Sequence, residues 1–189
     1  MGYIIVYEKS NGKVLHCMSI PREFYNNAAS HHEYIEVDYC TFEKASRVEG
    51  YVDKGEWYAA EGKPSETHIY DYDLKDWVDP RTLDEIKAQK WAEIKSQRDQ
   101  LEFGGFEFEG GVYDSDQVSQ GRIMGAAAAG LDRTWTLADN TTVELSASQL
   151  QQLYVTLQLH IASVHERGRI ARAAIESAVT KEEVEAIQL

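Results

Sequence analysis

The spacing of hydrophobic residues changes near residue 80, from a period of two to a period of three to four. Before that point, short runs of β-branched and aromatic residues are separated by turn residues, which is typical of strands. After it, apolar residues recur at helical spacing, and two short alternating runs interrupt them. The pattern predicts an α+β fold: an N-terminal antiparallel β meander over residues 1–79, followed by a helix–hairpin–helix–hairpin–long-helix domain over residues 80–189.

The β meander is predicted from seven short runs. Asn11-Gly12 predicts a tight hairpin turn in which both residues take positive φ. Asp53-Lys54-Gly55 predicts a second hairpin, with glycine at the left-handed position. The predicted strands are Tyr3–Tyr7, Val14–Met18, Glu33–Tyr39, Arg47–Val52, Glu56–Ala59, His68–Tyr72 and Asp76–Val78.

The C-terminal domain opens with a capping box, since Thr82 is followed three residues later by Glu85. The helix that follows ends at Gly104-Gly105. The alternation from Phe106 to Phe108 predicts a half-buried hairpin, which turns at Gly110-Gly111.

A second helix is predicted to run to Ala129, and its small residues would let another element approach closely. A third hairpin turns at Asp139-Asn140. The long helix after it is capped by Ser146 or Ser148, and Gly168 either kinks it or splits it in two. A last short helix is capped by Thr180.

Tyrosine is concentrated in the β meander. Two interpretations remain open: a binding face, because tyrosine is favoured at interfaces, or half-buried strands, which tyrosine also suits. The candidate partner-binding residues are Trp57, Tyr58, Tyr70 and Tyr72.

The net charge of -13 argues against nucleic acid and against anionic membranes as partners. No apolar run approaches the roughly 20 residues of a membrane helix.

Cys17 and Cys40 belong to no metal-binding motif, so we expect free thiols in a protein made in a reducing cytoplasm.

Candidate chemistry is sparse. Asp114-Ser115-Asp116 could present paired carboxylates, but either aspartate could instead cap the following helix. The His31-His32 pair is poorly placed for a shared metal, and His160 and His165 are five residues apart, so they do not share a helix face as an i, i+4 pair would. No nucleophile elbow, phosphate-binding loop or dinucleotide fingerprint occurs. The sequence therefore predicts no enzyme activity, no metal and no cofactor.

Several segments carry a resemblance to a known family. They read YDYDLKDWVDPRTLDEIKAQKWAEIKSQRD, GGFEFEGGVYDSD, SQGRIMGAA, WTLADNTTVELSASQL and HERGRIARAAIESAVTKEEVEAI. In content, order and spacing, residues 70–189 resemble a family of uncharacterised domains in tail-fibre and tail-assembly proteins of tailed bacteriophages. The N-terminal β segment is similar to the variable modules that precede this domain.

The resemblance implies a non-enzymatic protein of the virion tail, made in the host cytoplasm. Its expected partner is a tail-fibre or baseplate protein, and a homo-oligomer is a further expectation. Two alternatives stay open: an assembly chaperone that binds the fibre tip, and a tip module that contacts the host receptor.

Overall fold

The structure is a computed structural model that describes residues 2–29 and 32–189. The chain divides into two compact units, residues 1–81 and 82–189. The division lies two residues beyond the predicted boundary after residue 79. Strands dominate the first unit and helices the second, which confirms the α+β class.

The N-terminal unit contains seven strands and two short α-helices among its described residues. A 3-10 turn at Arg22–Phe24 leads directly into α1. The elements are β1 (Gly2–Tyr7), β2 (Val14–Ile20), α1 (Tyr25–Ala29), β3 (Glu33–Val37), α2 (Tyr39–Ala45), β4 (Gly50–Asp53), β5 (Glu56–Ala59), β6 (Ile69–Asp71) and β7 (Asp76–Val78).

The central sheet of this unit has the strand order β2-β1-β3 and is antiparallel. Alternate residues of β1 face opposite sides of it. Ile4 and Val6 pack with Tyr25 of α1, whereas Ile5 packs with Ala45 of α2 and with β4. All three β1 residues are buried, so β1 carries the core on both of its faces.

Helix α2 was not predicted. Asp38 caps it by accepting a hydrogen bond from the Thr41 amide at 2.7 Å, which ends the predicted strand over Glu33–Tyr39 at Val37. The predicted strand over Arg47–Val52 is also displaced, because residues 46–49 form a turn and β4 begins at Gly50.

The first hairpin exists, but its predicted turn type is wrong. The Glu8 amide donates to the Lys13 carbonyl at 2.9 Å, so the connection spans Lys9 to Gly12. Gly12 takes a φ of +79° and Asn11 does not take a positive φ. The second hairpin follows the prediction: Lys54 and Gly55 are both left-handed, with φ values of 48° and 83°.

The C-terminal unit contains four helices and two hairpins. Its elements are α3 (Leu83–Phe103), β8 (Phe106–Phe108), β9 (Gly111–Tyr113), α4 (Gln117–Ala129), β10 (Arg133–Thr136), β11 (Thr142–Leu145), α5 (Ala147–Ser177) and α6 (Lys181–Glu185).

Helix α5 organises this unit. Its N-terminal half packs through Leu150, Leu153 and Leu157 against both hairpins and α4. Its C-terminal half packs through Ala171 and Ile175 against α3 and the last residues of the chain. Two apolar clusters therefore lie along one helix.

The predicted caps of this unit are confirmed. Thr82, Ser146 and Thr180 each form a capping box, with Glu85, Gln149 and Glu183 respectively. Ser148 is therefore not the cap of α5.

Two details differ from the prediction. The β8–β9 turn uses Glu109 and Gly110, both at positive φ, and Gly111 pairs within β9. Helix α5 is continuous through Gly168, which is buried where an added Cβ would lie 3.4 Å from Arg98 Cδ. Gly168 therefore lies in contact range of Arg98 and does not interrupt the helix.

Candidate functional site

Two hairpins of the N-terminal unit bring tyrosines into one stack. The Tyr51 ring stacks on Tyr58 at a centroid distance of 5.6 Å and on Tyr70 at 5.8 Å. The edges of Tyr72 and Trp77 meet the Tyr70 ring at 5.2 and 5.4 Å. We call these five residues the aromatic cluster.

Strand register explains this arrangement. Tyr51 lies directly opposite Tyr58 in the β4–β5 pair, and Tyr70 lies opposite Trp77 in the β6–β7 pair. Directly opposite side chains on one face of an antiparallel pair are close enough for rings to touch. The β6–β7 turn is stabilised by the Asp71 carboxylate, which accepts from the Asp73 and Leu74 amides, both at 2.9 Å.

Three lysines lie over rings of the cluster. Lys75 Nζ is 5.0 Å from the Tyr51 ring centroid, Lys63 is 5.6 Å from Trp77, and Lys13 is 5.8 Å from Tyr72. These distances fall within the range of cation–π attraction. Lys75 also pairs with Asp53 at 3.0 Å. The cluster therefore combines aromatic rings with a border of both signs, since Glu49 and Glu56 accept hydrogen bonds from two of its tyrosines.

Exposure differs among the tyrosines. Tyr58 is 42% exposed and its hydroxyl donates to Glu56 at 2.9 Å. Tyr70 and Tyr72 are half-buried. Burial raises the pKa of Tyr70 to about 12, and burial together with the hydrogen bond to Glu49 raises the pKa of Tyr72. Both phenols are therefore neutral at physiological pH, and Tyr58 is the ring most accessible to a partner.

Three of the four predicted partner-binding residues, Tyr58, Tyr70 and Tyr72, belong to this cluster. Trp57 does not, because neighbouring residues of β5 face opposite sides of the hairpin. It packs instead with Val52 and Ile5, and its indole Nε1 is buried without a hydrogen-bond partner in the described part of the chain.

The sequence prediction missed two ring members, Tyr51 and Trp77. Tyr51 could have been found from the Lys54-Gly55 turn, because a two-residue turn fixes which residues are opposite each other. Trp77 could have been found in the same way from Tyr70, once the β6–β7 hairpin was set. The lysines carry no comparable signal, since their approach depends on the tertiary structure.

The three residues of the Asp114-Ser115-Asp116 segment lie in different environments. Asp116 caps α4, accepting from the Val118 and Ser119 amides at 2.9 and 3.2 Å. Ser115 is fully buried: its hydroxyl donates to the Glu102 carbonyl and accepts from the Gly105 amide at 2.8 Å. Asp114 is exposed. Of the two aspartates that could cap the helix, only Asp116 does so.

The histidines of α5 bind the end of α3. His160 Nε2 lies 2.9 Å from the Leu101 carbonyl oxygen, and His165 Nε2 lies 2.9 Å from Glu102 Oε2. These contacts join two packed helices. His31 lies outside the described residues.

A search of residues 2–29 and 32–189 finds no group of three or more His, Cys, Asp or Glu side chains that could hold a metal ion. Within the same residues, every helix is too short or too polar to cross a membrane. Cys17 and Cys40 are both free, as predicted, and burial raises the pKa of the Cys17 thiol.

Comparison with known proteins identifies one family. The profile of a domain of unknown function, DUF4376, matches residues 85–188, which is more than half of the chain and lies entirely in the C-terminal unit. Searches of curated proteins and of solved structures give no significant match. The chain therefore belongs to the DUF4376 family.

Proposed function

We propose that this protein is a non-enzymatic component of a bacteriophage tail, which binds a tail-fibre or baseplate protein. The observation that carries the proposal is the resemblance of residues 70–189 to domains of phage tail-fibre and tail-assembly proteins. On this proposal the protein is made in the host cytoplasm and resides in the virion tail.

The aromatic cluster supplies a contact surface for such a partner. Tyr58 presents an exposed ring at one end of the stack, and the rings behind it hold that ring in place. Tyrosines on a rigid platform lose little conformational entropy on binding, and they contribute both apolar area and a hydroxyl. Lys75 and Lys63 lie over two of the rings, and each is paired with a carboxylate, Asp53 at 3.0 Å and Glu66 at 3.9 Å.

The assembly chaperone is the alternative, and the acidic charge with no long fibrous repeat suits it equally. Quantitative mass spectrometry of purified particles of the encoding phage distinguishes the two. Presence at a fixed ratio to the fibre protein would support a tail component. Absence from particles, together with co-purification with the fibre from infected cells, would replace the proposal with the chaperone.

A binding experiment tests the contact surface separately. Tyr58→Ser should weaken capture of the tail partner, because it removes the exposed ring without opening the core. Tyr39→Ser is the matched control, since Tyr39 is also an exposed tyrosine, 54% accessible, but lies outside the aromatic cluster. Equal capture by both variants would exclude the cluster as the docking surface and leave the virion assignment to the mass spectrometry.

A further inference from the structure

Strand β10 has an open edge. It pairs with β11 on one side only, in a two-stranded sheet. The Leu137 amide donates to the Thr141 carbonyl at 2.9 Å, which makes residues 137 and 141 a hydrogen-bonded pair. Because such pairs alternate in antiparallel strands, the backbone N–H and C=O groups of Thr134 and Thr136 face away from β11.

At the turn end of this edge, a backbone group is already hydrogen-bonded to another strand. The Ala138 amide donates to the Val112 carbonyl of β9 at 2.9 Å. After Tyr113 the chain leaves the edge, because buried Ser115 is bonded to the end of α3. The outward backbone groups of Thr134 and Thr136 are left without a protein partner in the described part of the chain.

A groove of about 480 Å³ follows the open edge. It is lined by residues 133–137 and Asn140 of the β10–β11 hairpin and by Asp114, Ser119 and Arg122. The volume lies within the range of natural ligand clefts. The groove therefore places unpaired strand edge and side chains of α4 around one space.

The groove is basic within an acidic region. Residues 101–150 contain eight acidic residues and only two basic ones, Arg122 and Arg133, and both line the groove. Both are exposed, and neither forms an ion pair within the described residues. Asp114 is the one carboxylate among the lining residues that the structure describes.

Three carboxylates outside the lining accept hydrogen bonds from neutral groups and keep their negative charge. Asp116 is occupied by the α4 cap, and Asp132 accepts from the Ala147 amide at 2.8 Å. Glu144 accepts from the Thr134 hydroxyl at 2.7 Å. Among the lining residues themselves, two guanidinium groups outnumber one carboxylate, so the lining carries a net positive charge, although Asp116 acts on Arg122 from outside it.

We propose that an extended, acidic segment of a partner protein adds as a strand to the open edge of β10. Its backbone pairs with Thr134 and Thr136, and its carboxylates bind Arg122 and Arg133. Strand addition takes affinity from main-chain hydrogen bonds, and guanidinium groups recognise carboxylates through paired, charge-assisted hydrogen bonds. The surface lies in the C-terminal unit and does not rest on the proposed tail function.

A nuclear magnetic resonance titration of the full chain tests the proposal. The probe is a blocked octapeptide that alternates glutamate with valine, so that its carboxylates share one face. We expect saturable shifts of the Thr134 and Thr136 amides and of the Arg122 and Arg133 side chains.

The double variant Arg122→Gln, Arg133→Gln should weaken binding roughly tenfold or more. Arg169→Gln, which alters an exposed arginine outside the groove, should not.

The backbone contribution has its own control. Thr136→Pro removes the outward N–H and should abolish binding, whereas Thr136→Ala keeps it and should bind normally. If the proline variant fails to fold, two forms of the same peptide replace it, one N-methylated at the valines and one at the glutamates, and at least one of them should not bind to the unmodified protein.

Three outcomes would overturn the proposal. The first is the absence of saturable shifts at millimolar peptide. The second is equal binding of a peptide with lysine in place of glutamate. The third is a response to inorganic phosphate that reproduces every shift, which would mean a simple anion site without strand addition.

Discussion

Tyr51 and Tyr70 stack almost in parallel, with ring centroids 5.8 Å apart and an interplanar angle of 14°, although they belong to two separate two-stranded sheets. The strands of the β6–β7 hairpin are only three residues long. An isolated hairpin of this size is marginal in water. The stack therefore supplies a large part of what holds β6–β7 against β4–β5.

Tyr70→Ala should detach the β6–β7 hairpin. It removes the ring that contacts Tyr51, Tyr72 and Trp77, and we expect a loss of about 2 kcal/mol of local stability. Hydrogen exchange should show lost protection of the Ile69–Val78 pairing. Tyr70→Phe keeps the ring and should retain protection. Unchanged exchange in Tyr70→Ala would mean that backbone bonding alone is sufficient.

Ser115→Ala should destabilise the C-terminal unit by about 1–3 kcal/mol, because it leaves the Glu102 carbonyl and the Gly105 amide without their buried partner. Ser96→Ala is the control: Ser96 is exposed on α3, where alanine is the better helix former. Urea denaturation of both variants measures the difference. A midpoint for Ser115→Ala at or above that of the unsubstituted protein would contradict the assigned role.

Local chemistry made much of the fold predictable. Capping boxes at Thr82, Ser146 and Thr180 and the Lys54-Gly55 turn act between residues at most three apart, so the sequence specifies them directly. Features that depend on distant residues were missed. Helix α2 needs the sheet face against which Ala45 packs.

In the candidate site, too, the sequence predicts what depends on neighbouring residues and misses what depends on distant ones. Tyrosine enrichment pointed to the hairpins whose rings stack together, but period-two geometry was needed to separate Trp57 from Tyr58. The Arg122–Arg133 groove joins residues of a helix and a strand that no short motif connects, so the sequence carried no signal of it.

The cap of α4 should make the free energy of unfolding depend on pH in the acid range. Hydrogen bonds from the Ser119 hydroxyl and amide hold the pKa of Asp116 below its ordinary value of 3.8. A lowered folded pKa means that the stabilisation is complete above the unfolded pKa and is lost as the pH falls through the folded value. Asp116→Asn should keep the cap but flatten this part of the pH dependence below about pH 4. Thermal melts across that range measure it.

Asp38 and Asp139 provide the comparison for that experiment. The pKa of each is also lowered, chiefly by a hydrogen bond from the Thr41 amide and from the Thr141 hydroxyl respectively. Acid sensitivity should therefore decrease in Asp116→Asn without disappearing. Melting curves for Asp116→Asn that match the unsubstituted protein at every pH would show that the cap does not titrate with folding.

The exposed glycines of α4 should be replaceable. An added Cβ at Gly121 or Gly125 meets open space, and neither residue has a positive φ. Alanine at each should stabilise the helix by roughly 0.8–1 kcal/mol. Gly130→Ala is the opposing control, because the left-handed φ of +63° at this C-cap strains alanine. Destabilisation by Gly121→Ala or Gly125→Ala would indicate that a second copy packs closely on this face in solution.

Trp57 should prove to be a core residue whose indole N–H can be removed with little loss of stability. Its indole lies against Gly50, where an added Cβ would be 2.5 Å from Nε1, and that nitrogen is buried without a partner among the described residues. An unsatisfied buried donor costs about 1–3 kcal/mol. Trp57→Phe gives up some apolar contact but removes this donor, so we expect a net change below about 1 kcal/mol.

Trp57→Ala should instead cost about 3 kcal/mol, because it opens a cavity beside Val52 and Ile5. Tyr58→Ala, one residue along β5, should cost less than about 1 kcal/mol, since its side chain is 42% exposed and its removal opens no enclosed cavity. Guanidinium denaturation of the three variants separates these cases. A larger loss from Tyr58→Ala than from Trp57→Ala would reverse the assignment of the two faces of β5, and with it the choice of Tyr58 as the exposed contact of the aromatic cluster.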